Sequence, residues 1–491
     1  MRRYGKCGVA VIRVSGPKAL VALEKMTKIS SLKPRTAFLR KIHDPQTKEV
    51  LDKGLCLWFP GPKSFTGEDC AEFHVHGGPA VVTSILNALS KLRFHLALPG
   101  EFTKRAFLNG KIDLTEAEGI GDLIEAETEK QRQQASNQAS GSLRCLYDSW
   151  RIMLLNVLAN LEAYVDFSEE HSVTSNVLEN ANTVVQTLST EIQQHLSDGR
   201  KGEILRTGVH VAILGEPNVG KSSLLNLLSR KDAAIVTSSP GTTRDVIELT
   251  TNICGYPMIL ADTAGIRNNP ENEIEVEGIR KAKEYSEEAD FVICLISAEN
   301  SIKTSVGKFL EQYKNYLGID KKRVLAVLNK IDLLKEEEKE RWRQQNVVPI
   351  SCKTQEGLEE LTNTLGKCFE ELCGDPSREN PVISHARYRN HLLHVSDCLE
   401  LYLEKTVVPT YDIAISLQDI RDAARELGKI TGAISNEEVL DIIFKNFCIG
   451  AHSLSSLIPR RNFSENQSLK QRSYFSFNSL QASIIYPYLN Y

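Results

Sequence analysis

The sequence predicts a multidomain α/β protein. It combines an α+β N-terminal domain, an α-helical bundle domain, and a third domain inserted into the bundle, with a mostly parallel sheet and helices on both faces. Three observations predict this. Short apolar runs alternate with glycine and proline turns over the first part of the chain. Helical periodicity then takes over, breaks off, and resumes far downstream. Between the two helical stretches, buried strand-like runs alternate with amphipathic segments, and one strand leads through a glycine-rich loop into a helix.

A chain of 491 residues holds several domains, each able to bury its own core. The net charge of −4 gives no global attraction to nucleic acid, so any RNA contact must come from local patches. Eleven cysteines lie scattered, without zinc-type pairing or a disulfide-like framework, which suits a reducing compartment. No apolar run reaches the roughly 18 residues of a membrane span. The basic start, Met1 to Lys6, is too short for a signal or transit peptide before the apolar segment at Cys7 to Val14 begins.

Residues 1–115 read as the α+β domain, with strands at Val9 to Val14, Gly54 to Phe59 and Ala71 to His76. Helical patterns at Pro17 to Met26 and Ala80 to Leu92 separate them. His74 and His76 share one strand face; such a pair is more often a packing or hydrogen-bonding feature than a metal site. From Thr115 the character changes. Glu116 to Gln138 reads as one helical stretch, Leu143 to Phe167 carries Leu146, Trp150, Met153, Leu154, Val157, Leu158 and Leu161 at helical spacing, and Val177 to Leu196 continues the pattern. This first helical part, residues 116–206, is interrupted at Ser197 to Arg200.

The inserted domain spans residues 207–374. The run Val209 to Leu214 precedes Gly215-Glu216-Pro217-Asn218-Val219-Gly220-Lys221-Ser222, and Ser223 to Leu228 continues as a helix. Strand, glycine-rich loop and helix in that order make a phosphate cradle, with backbone N–H groups and the helix N-terminus favouring anions. Lys221 adds a charge at the β/γ end, and the Ser222 hydroxyl suits Mg²⁺. Ile259-Leu260-Ala261 runs into Asp262-Thr263-Ala264-Gly265, a D-x-x-G in which Asp262 serves Mg²⁺ and the Gly265 N–H meets the γ-phosphate. Val324 to Leu328 leads into Asn329-Lys330-Ile331-Asp332, an N-K-x-D. A carboxylate at Asp332 accepts from the N1–H and N2–H₂ edge of guanine, and adenine offers no such edge. Ser351-Cys352-Lys353 resembles the loop that backs the guanine. Four motifs in this order predict a Ras-like P-loop domain that binds GTP.

The stretch between the first two motifs includes Thr237, Ser239, Pro240, Gly241, Thr242 and Thr243. A threonine closes over γ-phosphate and Mg²⁺ in such enzymes, and Thr243 is assigned to it. Ras-like enzymes place a water-orienting glutamine after D-x-x-G. Here Ile266 stands there and can neither donate nor accept. Hydrolysis must recruit another polar group, and Glu271, Glu273, Glu275 and Glu277 are the nearest supply, although any one of them reads more readily as part of a solvated helix face. Helical patterns resume in residues 375–450, with Leu392, Leu393, Val395, Leu399, Leu401 and Leu403, then Ile415 to Leu427 and Glu437 to Phe447. Residues 451–491, rich in Ser, Asn, Phe and Tyr, read as a disordered tail.

Outside the GTP motifs, Val11 to Pro17, Ser64 to Asp69, His76-Gly77-Gly78-Pro79, Pro99 to Lys111 and Ile442 to Gly450 resemble the MnmE (TrmE) family of tRNA modification GTPases, its animal mitochondrial branch in particular. The resemblance covers roughly residues 5–450. It implies a folate-binding N-terminal domain that forms a homodimer, a helical domain and an inserted GTPase domain. It implies Mg²⁺, K⁺ and a formyl or methylene tetrahydrofolate as cofactors. With a flavin-dependent partner of the MnmG/GidA family, such a protein modifies C5 of the wobble uridine of tRNA, in mitochondria to 5-taurinomethyluridine. By position, Arg13, Glu72 and Lys111 fall on the folate contacts. Asn218, Thr237, Ser239 and Thr242 fall on the K⁺ ligands, and Ser222, Thr243 and Asp262 on the Mg²⁺ positions. Glu275 falls on the glutamate that orients water, and Cys448 on the cysteine of the C-terminal signature.

The chain departs from the pattern at both ends. A strand that family members carry before the Gly-Cys-Gly-Val segment is not seen, nor is a transit peptide, so a cytoplasmic form stands beside the mitochondrial one. Ala451 replaces the terminal signature lysine. Two other readings stay open: a form that binds GTP and partners without supporting modification, and an RNA- or ribosome-assembly GTPase.

Overall fold

In a computed structural model, the structure describes residues 7–29, 31–167, 176–216, 218–231, 235–236, 248–261, 289–301, 323–345, 347–377, 380–406, 413–434, 443 and 483–485. The chain divides into two compact units, Met1–Glu118 with Thr431–Tyr491, and Gly119–Ile430.

The N-terminal unit contains β1 (Cys7–Ser15), α1 (Ala19–Thr27), β2 (Phe38–His43), β3 (Val50–Phe59), β4 (Cys70–Gly77), α2 (Pro79–Lys91), β5 (His95–Leu96), α3 (Glu101–Leu108) and the start of α4 (Leu114–Glu125). The three expected strands and two expected helices are β1, β3, β4, α1 and α2, each within a few residues of its predicted span. Ile12, Val14, Phe73 and Val75 alternate with outward-facing neighbours and bury one sheet face against Leu23, Met26, Ile85 and Leu89 of the helices. Pro79 at the first turn starts α2, where its missing N–H costs nothing. Of the residues predicted for the last helix only Ile443 is described, and it packs on Leu114 and Ala117.

The central unit opens with α5 (Glu129–Ala139), α6 (Ser142–Phe167), α7 (Asn176–Leu196) and α8 (Lys201–Thr207). The helical stretch read over Glu116 to Gln138 holds two helices, because Thr128 caps α5 with Gln131 reaching back to its N–H. After β6 (Val209–Leu214), α9 (Lys221–Lys231), β7 (Ile235–Val236), β8 (Glu248–Ile253), β9 (Tyr256–Ala261) and β10 (Phe291–Ser297) come α10 (Ala298–Ser301), β11 (Arg323–Asn329), α11 (Glu336–Arg343), β12 (Val347–Pro349) and α12 (Leu358–Cys373). The sheet order is β12-β11-β10-β6-β9-β8-β7. Pairing is parallel from β12 through β9 and antiparallel at β8 and β7.

Helices α13 (Ala386–Thr406) and α14 (Ile413–Thr431) close the unit. One helical core takes Leu143, Tyr147, Trp150, Leu154, Val157 and Leu161 from α6, Val185, Leu188 and Ile192 from α7, and residues of α13 and α14. It is therefore assembled from both sides of the sheet domain in sequence. Their alternating spacing of three and four residues is that of helices packed lengthwise. Leu393 and Leu401, part of the helical pattern read from the sequence, are exposed. The buried stripe of α13 is Tyr388, Leu392, Val395, Leu399 and Tyr402, so two tyrosines set the phase and those leucines fall outside it.

Of the tail, Ser483–Ile485 forms β13, antiparallel to β1 and parallel to β5. These three are the described residues of a stretch whose sequence reads as disordered or poorly packed. β-branched Ile484 and Ile485 suit a strand, and β13 completes the sheet between β1 and β5. Among the described residues no helix is long and apolar enough to cross a membrane.

Candidate functional site

Buried β6 aims the chain at the phosphate loop, and α9 leaves it with Leu224 N–H donating to Gly220 O at 2.9 Å. Asn218 adopts φ +61° and Gly220 φ +102°. A Cβ on Gly220 would lie 2.3 Å from Asn329 Nδ2, so this position needs glycine for both conformation and space. Val219 is buried beneath the loop, while Ser222 and Ser223 are exposed on the first turn of α9.

The Lys221 ammonium donates to the carbonyls of Gly215 and Glu216, each at 2.8 Å. Burial lowers its pKa, and no carboxylate pairs with it among the described residues. A half-buried cation resting on neutral carbonyls is electrostatically unfinished, and phosphate oxygens complete it. The residues present thus fit a nucleotide.

At the ends of β11 and β12 the residues expected to read the base are joined to the same loop. Buried Asn329 donates from Nδ2 to Val219 O at 2.7 Å and accepts at Oδ1 from Cys352 N–H at 3.0 Å. Ser351, fully buried, donates to Asp332 Oδ1 at 2.7 Å and holds the exposed carboxylate; that bond leads the causes lowering its pKa. Lys330, at φ +68°, meets Glu299 Oε2 at 2.7 Å. Lys353 is exposed, and burial pushes the Cys352 thiol up to about 11. The structure therefore brings Gly215, Glu216, Asn218, Val219, Gly220, Lys221, Ser222, Asn329, Lys330, Asp332, Ser351 and Cys352 around one cradle. Thr237, Ser239, Thr242, Thr243, Asp262, Thr263, Ala264, Gly265, Glu275 and Cys448 lie outside the described residues. Sequence reasoning missed Glu299; only its place just past a buried strand end hinted at it.

In the N-terminal unit Arg13 and Glu72 are register partners on β1 and β4. Arg13 Nε donates to Glu72 Oε1 at 2.9 Å, with Nη2 2.8 Å from the same oxygen, and the guanidinium lies 5.4 Å from the Phe65 ring centroid. His74 Nε2 lies 3.1 Å from the other oxygen, Oε2. The His74 bond first, then Arg13, outweigh burial and lower the Glu72 pKa. Lys111 is exposed beside Gly67. His76 Nδ1 bonds Asp52 at 2.9 Å, so both histidines are hydrogen-bonding residues. Among the described residues no group of three metal-ligating side chains occurs.

The family model described as MnmE helical domain matches residues 114–448, and that described as GTP-binding protein TrmE N-terminus matches residues 2–111. The chain is 46% identical over 460 residues to the mitochondrial 5-taurinomethyluridine-tRNA synthase subunit GTPB3 of Danio rerio, covering 91% of each. It is 45% identical over 456 residues to the protein of the same description from Homo sapiens, again covering 91% of each. It is 44% identical over 453 residues to the tRNA modification GTPase MnmE of Parvibaculum lavamentivorans, covering 91% of this chain and 97% of that one.

Proposed function

The chain belongs to the MnmE (TrmE) family of tRNA modification GTPases, and from that premise we propose that it hydrolyses GTP in a K⁺-stimulated cycle that serves wobble-uridine modification of mitochondrial tRNA. The observation that carries the reading is the Asn329 bridge. One buried side chain ties the phosphate loop to the base loop, so both halves of a guanine nucleotide site are set before ligand arrives.

Lys221 supplies positive charge at the β/γ-phosphates and Asp332 reads the guanine edge. Ser222, Thr243 and Asp262 would hold Mg²⁺, which stabilises charge on the transferring phosphoryl group. Asn218, with Thr237, Ser239 and Thr242, would hold K⁺, and Glu275 would orient the attacking water. In the N-terminal unit Arg13, Glu72 and Lys111 would bind a tetrahydrofolate one-carbon donor, with Cys448 near it. Dimerisation through that unit, a flavin-dependent partner of the MnmG/GidA family and a mitochondrial location complete the proposal. The relatives named for 5-taurinomethyluridine support the product.

The test is hydrolysis by the full chain in KCl against NaCl, with sedimentation in GDP–aluminium fluoride. Faster turnover and pairing in KCl support the K⁺ switch; a rate indifferent to the cation removes it. Nucleoside mass spectrometry of mitochondrial tRNA from cells lacking their own GTPB3-type protein tests the product. Failure of this chain to restore the modified uridine would leave a GTP-binding form without modification activity.

A further inference from the structure

The hairpin β8–β9 links the two stretches assigned to the γ-phosphate. β8 begins shortly after Thr243, and β9 ends at Ala261, next to Asp262. Its far end is a two-residue turn with Cys254 at φ +52° and Gly255 at φ +92°, the pair of positive values a tight hairpin demands. Gly255 N–H donates to Asn252 Oδ1 at 2.8 Å, which fixes the turn.

This tip is docked on both sides. Cys254 Sγ bonds Thr362 O of α12 at 3.6 Å. On the other side lies the N-terminus of α5, where Lys130 N–H donates to Gly255 O at 3.1 Å. The Lys130 ammonium stands 5.8 Å from the Tyr256 ring centroid and 2.6 Å from Asp375 Oδ1. Tyr256 donates its hydroxyl to Gly374 O at 3.1 Å. One residue therefore holds the hairpin tip and the point where the sheet domain returns to the helices. The far end of α5 is bonded into the helical part, with Gln138 Nε2 donating to Tyr388 Oη at 3.0 Å and Ser384 Oγ to Gln138 Oε1 at 2.7 Å.

A ladder of backbone hydrogen bonds makes a hairpin stiff along its length, so a shift at one end moves the other. We propose that Lys130 is a positioning residue for GTP hydrolysis: through its side-chain contacts with Tyr256 and Asp375 it holds the tip end of the β8–β9 hairpin against α5, which sets the position of β9 up to Ala261, the residue before Asp262, and links nucleotide state to the helical bundle. The inference rests on the reading of Asp262 and Thr243 as phosphate-facing. Lys130 lies at the N-terminus of α5, and its described contacts are to the hairpin and to Asp375, not to the residues of the cradle.

The experiment uses the full chain with Lys130→Ala, Lys130→Arg and Asp262→Ala. Lys130→Ala should lower kcat about 3- to 10-fold while leaving KM and GDP affinity within about twofold, and Lys130→Arg should retain most of the rate. Amide exchange at the start of α5 should differ between GDP and GDP–aluminium fluoride. An unchanged kcat in Lys130→Ala overturns the proposal, as does identical α5 exchange in the two states. Asp262→Ala separates the premises. If it leaves hydrolysis intact, the phosphate-facing reading falls and the proposal with it. If it abolishes hydrolysis while Lys130→Ala is normal, only the Lys130 role falls.

Discussion

The nucleotide cradle is built at strand ends and the charged cluster on the paired interior strands β1 and β4, and the two finish their electrostatics differently. In the cradle Lys221 rests on two carbonyls, and the Asn329 amide spends its donor and its acceptor on backbone. Lys221 has no carboxylate partner among the described residues, whereas Lys330 is paired with Glu299. In the β1–β4 cluster Arg13, Glu72 and His74 satisfy one another, with both Glu72 oxygens engaged. The first site is open to a ligand that brings charge. The second must break or share an ion pair to bind one. Pre-organisation with an unfilled charge, rather than the number of charged residues, separates a site that is ready from one that must rearrange.

The largest effect expected from this contrast is at Lys221. Lys221→Ala should weaken GTP binding by about 2 to 3 kcal/mol, roughly 30- to 150-fold, because charge-assisted bonds to phosphate are lost. Equilibrium titration with a fluorescent GTP analogue checks it, and a change below about threefold would remove the unfinished-cation argument. Next is Asp332→Asn, which should cost about 1 to 3 kcal/mol of guanine affinity, since one acceptor becomes a donor facing N–H groups. The folded-state pKa of Asp332 is depressed, chiefly by Ser351. Guanine affinity should therefore persist above the ordinary carboxylate range and fail only as pH drops through that lowered value; Ser351→Ala should move the failure to higher pH. Titration of GDP affinity from pH 7 downward in the two proteins reads the difference.

The cradle was legible because its chemistry is local. Gly215 to Ser222 is a contiguous stretch between a strand and a helix, and Asp332 and Ser351 follow buried runs at strand ends. What escaped notice depends on distance in sequence or on helix phase. Glu299 reaches Lys330 across the β10–β11 connection, and Asn329 meets Val219, 110 positions away in sequence. The helical pattern read from the leucines did not give the phase of the buried stripe, which runs through Tyr388 and Tyr402 and leaves Leu393 and Leu401 exposed. The cap at Thr128 was hidden in a run of good helix formers, where one side-chain pair decided the break. The short helix α8 was hidden by its brevity. For the β1–β4 cluster, the sequence offered Arg13 and Glu72 as separate contacts, and only strand register places them opposite each other.

That register sets the smallest and most specific expectation. Arg13→Ala removes one partner from a Glu72 carboxylate whose side chain is 13% exposed, and the cost should be about 1 to 2 kcal/mol, between exposed and buried pairs. Because the folded-state pKa of Glu72 is lowered, its stabilising contribution is present above the unfolded carboxylate value and is lost as pH falls through the folded one. Arg13→Ala should therefore destabilise most near neutral pH and converge with the parent in acid, while His74 still holds the other oxygen. Urea unfolding of the parent and the variant across pH 7 to 3 separates the possibilities. If the difference between them is independent of pH, the loss lies in packing of the Arg13 stem over Phe65, and the mutual neutralisation that distinguishes this cluster from the nucleotide cradle is not what stabilises it.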